Sequence, residues 1–387
     1  MKYLLQVSLM VLFVACERYK ETPVLEIEGR DNIALFLSKA SDEEISCLER
    51  NTYNTKAYHL IMQSENHVNQ AEQLKSLAKN YYACGNYLKF SRVSKVLLNK
   101  SLKNKDSLNL AVAFQYHGLF HLKSLTFDSS YYYYSKAQKI NLQLNITQQV
   151  IEGFLDIAAL QYTVGDVSES QKNIFSALKL LDDSGNQSNE QYKAYALLAA
   201  IYGDLREYGK AVDYHNRSLD ILWKNNLLDD EAAIPTVIMN IGTVYQNQNQ
   251  FTKANSYFDS ALKIKGLKHD FPRLYATLVD NIAYSDLKSA IGNKSPDKFL
   301  ESLKIRDSLQ DIAGIIKSQI HLSEFYAQTG DTVKAITYSE ESYKTTIAHK
   351  LPAEALLTLK QLILLNNEKT PFYASEYLRI SDSMLQA

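Results

Sequence analysis

Two histidines stand four residues apart, His117 and His121 in the stretch HGLFH. That spacing lets one helix face offer two imidazoles to a metal. No Asp or Glu lies between them, and the intervening residues are Gly118, Leu119 and Phe120. A packed structural role is the expectation. Three cysteines, Cys16, Cys47 and Cys84, form no CxxC pair and lie at no zinc-type spacing from a histidine. No phosphate-cradling glycine loop, GxSxG elbow or HExxH helix occurs. The carboxylate pairs Asp182-Asp183, Asp229-Asp230 and Glu340-Glu341 have no evident catalytic partner and are expected on solvated faces. The run Tyr131–Tyr134 is either an aromatic platform or the opening of a helix with Tyr134 in the core, and the core reading is preferred. No catalytic residue, metal or cofactor is expected, and the chain is not expected to be an enzyme. Its 42 basic and 43 acidic residues leave a net charge of −1, which gives no electrostatic reason to bind nucleic acid.

The first residues read differently. Met1–Ala15 carries Lys2 and then an apolar run from Tyr3 to Ala15, too short to cross a bilayer. It ends Phe13-Val14-Ala15-Cys16, followed at once by Glu17-Arg18. This resembles a bacterial lipobox, although Phe13 stands where a leucine is usual. The resemblance implies a signal peptide over 1–15, lipidation of Cys16 and a tether over 16–30. It also implies a membrane partnership through acyl chains and a place at the bacterial cell envelope, on the periplasmic face or the cell surface. Cys47 and Cys84 would then meet an oxidising compartment, where pairing is allowed but is not fixed by sequence.

The rest of the chain must position whatever acts, and it is periodic. A small residue recurs as Ala78, Gly118, Ala158, Ala199, Gly242, Ala283 and Ser323, at steps of 40 to 43 residues. A mostly large apolar residue sits four before each, with Gln319 the exception. Small residues return further on as Ala137, Ala177, Ser218, Ala261, Ser302 and Ser342. Such residues let two helices approach closely. Only 13 Gly and 6 Pro occur, and Pro235, Pro272, Pro296, Pro352 and Pro371 fall at predicted helix starts or connections. Asp286 replaces the large residue usual at its position, which makes the Ala283 unit the most degenerate. Trp223 is expected to seal the end of a helix.

The clearest unit is Pro235–Leu262, with Gly242, Tyr245, Phe251, Ala254 and Phe258 in place. It resembles one tetratricopeptide (TPR) repeat, and the likeness extends over about residues 71–345. The usual period is ~34 residues, so helices or loops are expected to be longer here. The resemblance implies an all-α, right-handed superhelical solenoid of about seven TPR-like helix pairs over 71–350. Helical caps are expected over 31–70 and 351–387. The N-terminal cap pair is predicted at Asn32–Lys39 and Asp42–His59, and the C-terminal pair at Leu351–Asn366 and Phe372–Gln386.

In such repeats the first helices line a concave groove. Frame positions carried over to this sequence put Tyr162, Lys193, Met239, Thr243, Gln246, Asn247, Tyr284, Glu324 and Gln328 on it, with Thr163, Ala200 and Asp280 beside them. This set lacks the Lys/Asn/Arg arrangement with which some TPR co-chaperones hold a carboxylate. A neutral, Asn/Gln-rich groove suits an extended peptide, whose backbone needs hydrogen-bond partners. The expected function is a lipid-anchored scaffold of the bacterial cell envelope that binds a protein or peptide. One alternative is the extracytoplasmic sensor half of a TPR regulator whose transmembrane and output module is missing here. A lower one is a glycan-binding surface lipoprotein.

Overall fold

The computed structural model describes residues 31–42, 44–64, 69–184, 189–224, 231–289, 294–366 and 368–386. Cys16, the signal peptide and the tether lie outside them. Among the described residues there are nineteen helices, and the chain divides into two compact units at residues 140 and 141.

The first unit holds α1 (Asp31–Ser41), α2 (Cys47–Gln63), α3 (Gln70–Ala83), α4 (Tyr87–Asn104), α5 (Ser107–Lys123) and most of α6 (Phe127–Gln143). The expected N-terminal cap pair is α1 and α2. The second helix begins later than Asp42 because Ser46 caps it, its Oγ accepting from the Glu49 N–H at 3.3 Å. Cys47 and Cys84 form a disulfide with Cα atoms 5.3 Å apart, which ties the start of α2 to the end of α3. Ile33, Phe36, Ile61, Leu74, Leu77, Phe90 and Leu97 make the core.

The second unit runs through α7 (Thr147–Thr163), α8 (Val167–Ser184), α9 (Asn189–Asp204) and α10 (Tyr208–Lys224). It continues with α11 (Ala233–Asn247), α12 (Phe251–Leu262), the one-turn α13 (Leu267–Asp270), α14 (Pro272–Lys288) and α15 (Asp297–Ser308). It closes with α16 (Ile312–Gln328), α17 (Thr332–Ala348), α18 (Pro352–Leu364) and α19 (Thr370–Gln386), the last two forming the expected final pair. Each unit is a series of helix hairpins, as the repeat predicts. The long period comes from long helices: α5, α6, α7, α16 and α17 have 17 residues each. The turns inside hairpins are only three residues, such as 124–126 and 329–331. The short α13 was not expected; it starts after Gly266, its N-cap, whose φ is 83°.

The repeating small residues are all buried, and three of them are shown against the residue sixteen places on. Gly242 faces Phe258, and a Cβ there would lie 2.5 Å from its ring; Gly118 faces Tyr134 in the same way. Ser323 faces Ser339 and accepts its hydroxyl at 2.7 Å. Tyr134 is therefore core, at 2% exposure, while Tyr131 and Tyr132 are exposed. His117 and His121 both stack on Tyr133, at 5.1 and 5.3 Å, and His121 bonds the Thr126 hydroxyl. Trp223 departs from expectation: it is 58% exposed on the last turn of α10.

A second regularity joins the two helices of each hairpin. Tyr202 stacks on Tyr214, Tyr245 on Tyr257 and Tyr326 on Tyr338, each pair twelve residues apart. Lys210, Lys253 and Lys334 lie over the first ring of each pair. In the α7–α8 hairpin the same link is polar, with Asn173 Nδ2 donating to Gln161 Oε1 at 2.7 Å. In the α14–α15 hairpin it is ionic, with Lys298 Nζ 3.0 Å from Asp286 Oδ2. Asp286 is thus a substitution with a partner: the residue twelve places on, a tyrosine in the stacked hairpins, is here a lysine.

Candidate functional site

The first helices of the second unit, α7, α9, α11, α14 and α16, carry all nine sequence-predicted binding residues. Within this series α7 touches α9, α11 touches α14, and α14 touches α16. Their shared face is where the side chains must be sorted.

Four of the nine tie one first helix to the next. The Tyr162 hydroxyl donates to Asp204 Oδ2 across α7 and α9. Burial and then the Asp204 carboxylate push that phenol above its ordinary range. Gln246 Nε2 donates to the Asn281 carbonyl and to Ser285 Oγ, both at 2.8 Å, across α11 and α14. Glu324 pairs with Lys288 at 2.7 Å across α16 and α14. The Tyr284 ring lies 4.6 Å from the His321 ring and under the Lys288 ammonium. Burial opposes the charge on Lys288, but Glu324 outweighs it and raises that pKa.

Two more are half-buried within their own neighbourhood. Met239 packs against the cluster of Phe258, Leu278 and Ile282. Thr243 Oγ1 donates to the Met239 carbonyl at 3.1 Å, so its hydroxyl is satisfied inside α11. Lys193, Asn247 and Gln328 are exposed. Asn247 and Gln328, like Thr163, sit five residues after the small residue of their repeat, at the exposed ends of α11 and α16. The tying positions Tyr162 and Gln246 sit four after it, turned toward the next first helix.

Asp280 is the clear displacement from expectation. It is fully buried. Its Oδ1 accepts from Ser318 Oγ at 3.1 Å, and its Oδ2 lies 2.8 Å from His321 Nδ1 and 3.7 Å from Arg306. Arg306, 1% exposed, comes from α15 and also donates to the Gly314 carbonyl and to Ser318 Oγ. Lys317 Nζ reaches Asn281 Oδ1 at 3.2 Å. Burial alone would raise the Asp280 carboxyl, but His321, Arg306 and Lys317 outweigh it and hold it at about 2. The carboxylate is ionised and its charge is answered, as a buried charge requires.

Sequence reasoning missed His321, Arg306 and Lys317. His321 lies seven residues before Gln328, two turns along the same face of α16. That spacing was legible. Arg306 was not, because it sits on a second helix and crosses to the first-helix layer only in the folded chain.

A family model described as a tetratricopeptide repeat matches residues 235–266. The chain carries a tetratricopeptide repeat there, within an array of TPR-like helix hairpins. Solved structures similar to this chain include a Rap protein complexed with competence and sporulation factor. It has 16% identity and a TM-score of 0.63 over 92% of this chain and 99% of that one. The Rap conjugation gene regulator of plasmid pLS20, in complex with the Phr* peptide, has 13% identity and a TM-score of 0.60. That match covers 92% of this chain and 95% of the regulator. Aspartyl phosphate phosphatase F from Bacillus subtilis has 13% identity and a TM-score of 0.57, with 92% and 94% covered. At such identities the likeness concerns the fold. No curated protein matches the sequence.

Proposed function

We propose that this TPR protein is a binding scaffold, not an enzyme, and that an extended peptide or protein segment lies along the first-helix face of its second unit. The observation that carries this reading is the division of labour on that face. Tyr162, Gln246, Tyr284 and Glu324 hold neighbouring helices in place, while Lys193, Asn247 and Gln328 remain exposed beside them. A face held rigid by its own side chains spends less entropy on binding. The Rap conjugation gene regulator in complex with the Phr* peptide shares the fold over most of this chain, which supports a peptide as the occupant. A photo-crosslinker at Asn247 tests this: specific capture of one protein supports the reading, and labelling no different from an exposed control such as Trp223 sinks it.

The scaffold is further proposed to be lipid-anchored through Cys16 at the bacterial cell envelope. The Cys47–Cys84 disulfide supports this, since such bonds persist in oxidising compartments. Cys16→Ser is expected to abolish acyl labelling and to move the protein from the membrane fraction to the soluble one. Unchanged fractionation and mass would refute the anchor. A second reading, a peptide-sensing part of a regulator, is favoured by the likeness to the Rap conjugation gene regulator. Under it, captured peptide would alter the protein's association with a further partner.

A further inference from the structure

His321 is not one of the residues that tie the helices passively. Its ring is enclosed on its faces by Tyr284, at 4.6 Å, and by the Phe299 ring edge-on at 5.8 Å. Its Nδ1 lies 2.8 Å from a carboxylate oxygen of Asp280, which is completely buried. A carboxylate only accepts hydrogen bonds, so the Nδ1 must carry the proton. In the neutral imidazole the other nitrogen, Nε2, is then an acceptor. The side chain keeps 12% of its surface exposed, and Nε2 is not among the buried polar atoms left without a partner. The edge carrying Nε2 is therefore the part of the ring left to solvent or to a ligand.

The neighbouring groups have the same sense. Gln246 donates through Nε2 to two acceptors of α14, which leaves its carbonyl oxygen as the group to offer a ligand. Lys288 and Lys317 turn their ammonium groups to Glu324 and Asn281. Around His321 the two ammonium groups thus point at the protein, and the Gln246 carbonyl oxygen and the His321 Nε2 remain as acceptors.

We infer that His321, positioned by Asp280, is a ligand-contacting residue whose Nε2 accepts a backbone N–H of an extended peptide. This deepens the proposed peptide-binding role and rests on it. The class of ligand follows from polarity: a face with spare acceptors takes a chain with unpaired N–H groups, which an extended peptide supplies at every second residue on each side.

The test uses the full chain and an immobilised library of linear decapeptides. His321→Phe keeps an aromatic ring between Tyr284 and Phe299 but has no acceptor. It is expected to bind the peptides that the wild type retains at least tenfold more weakly. Peptides methylated at single backbone nitrogens should lose affinity at one position in the wild type and not in the variant. Histidine-labelled protein read by long-range proton–nitrogen correlation should show the Nδ1–H tautomer at His321, independently of any peptide. Retention that is the same in the wild type and in His321→Phe would overturn the inference while leaving the scaffold intact. So would observation of the Nε2–H tautomer. A library from which the wild-type chain retains nothing overturns the peptide-binding reading and this inference with it.

Discussion

Gly242 and His215 mark the two ways a single residue is constrained here. Gly242 is glycine because the Phe258 ring occupies the space a Cβ needs, with contact at 2.5 Å. Gly242→Leu is expected to destabilise by about 1–3 kcal/mol through overpacking, measured by chemical denaturation. Phe258→Ala in the same chain should return part of that loss, because the two sites share one volume. His215 stands sixteen residues after Ala199, as Phe258 does after Gly242, and is 3% exposed. Burial depresses its imidazole to about 4. The sign follows from linkage. The unfolded chain takes up the proton near the ordinary value of about 6.5, before the folded one does. The stability is complete above that value and is lost as the pH falls through it toward 4. The loss is roughly 3 kcal/mol at the bottom of this window. His215→Leu should flatten the denaturation midpoint over that range; an unchanged slope would place the acid sensitivity elsewhere. Asp280, held at about 2, acts lower on the scale: its contribution is present above about 4 and fades only as the pH drops toward 2.

The hairpin is the element that repeats, and its links are exchangeable in kind. Stacked tyrosines, an Asn–Gln hydrogen bond and a Lys–Asp ion pair serve the same position in different hairpins. The spacing of twelve was present in the sequence. The equivalence of Gln161 and Asp286 with tyrosine was not, because it depends on what the second helix brings opposite. The turns show the same thing. Gly85, Gly165 and Gly330 have positive φ, and so do Leu125, Arg206 and Asn249 at the equivalent place. Glycine made half of these turns readable, and tertiary packing imposed the same conformation on the others. The N-terminal pair is tied to the next hairpin by a covalent link, from the start of α2 to the end of α3. The disulfide closes a segment of sequence separation 37, for which loop entropy gives about 4 kcal/mol as an upper figure. Denaturation with and without reductant should show a loss of that order or less. Cys47→Ser and Cys84→Ser should each reproduce it, and a loss confined to one of them would argue against the bond.

At the scale of the whole chain, repeats contact only near neighbours, so stability should be a sum of local terms. The second unit has its own clusters of buried residues, from Ile151 and Leu155 through Phe299 and Leu322 to Leu359 and Leu362. A fragment of residues 147–387 is expected to keep its helical content and to melt cooperatively, monitored by circular dichroism. A non-cooperative loss of signal would show that the division into two units is not energetic. By itself the sequence determined the helical class, the hairpin unit, its register and which side chains share a face of the first helices. These are read from local periodicity, since spacing along a helix fixes which side chains share a face. It also marked Cys16, which only chemistry in the cell can answer. Tertiary structure decided which side chains on that face were already committed. It paired Cys47 with Cys84, buried Asp280, and brought Arg306 from one layer of helices to a carboxylate in the other. Those choices depend on contacts between residues 26 to 41 apart, such as Arg306 with Asp280 and His321 with Asp280. No local spacing reports the partner at that distance, because it is set by how successive helices cross and by which side chain is long enough to reach.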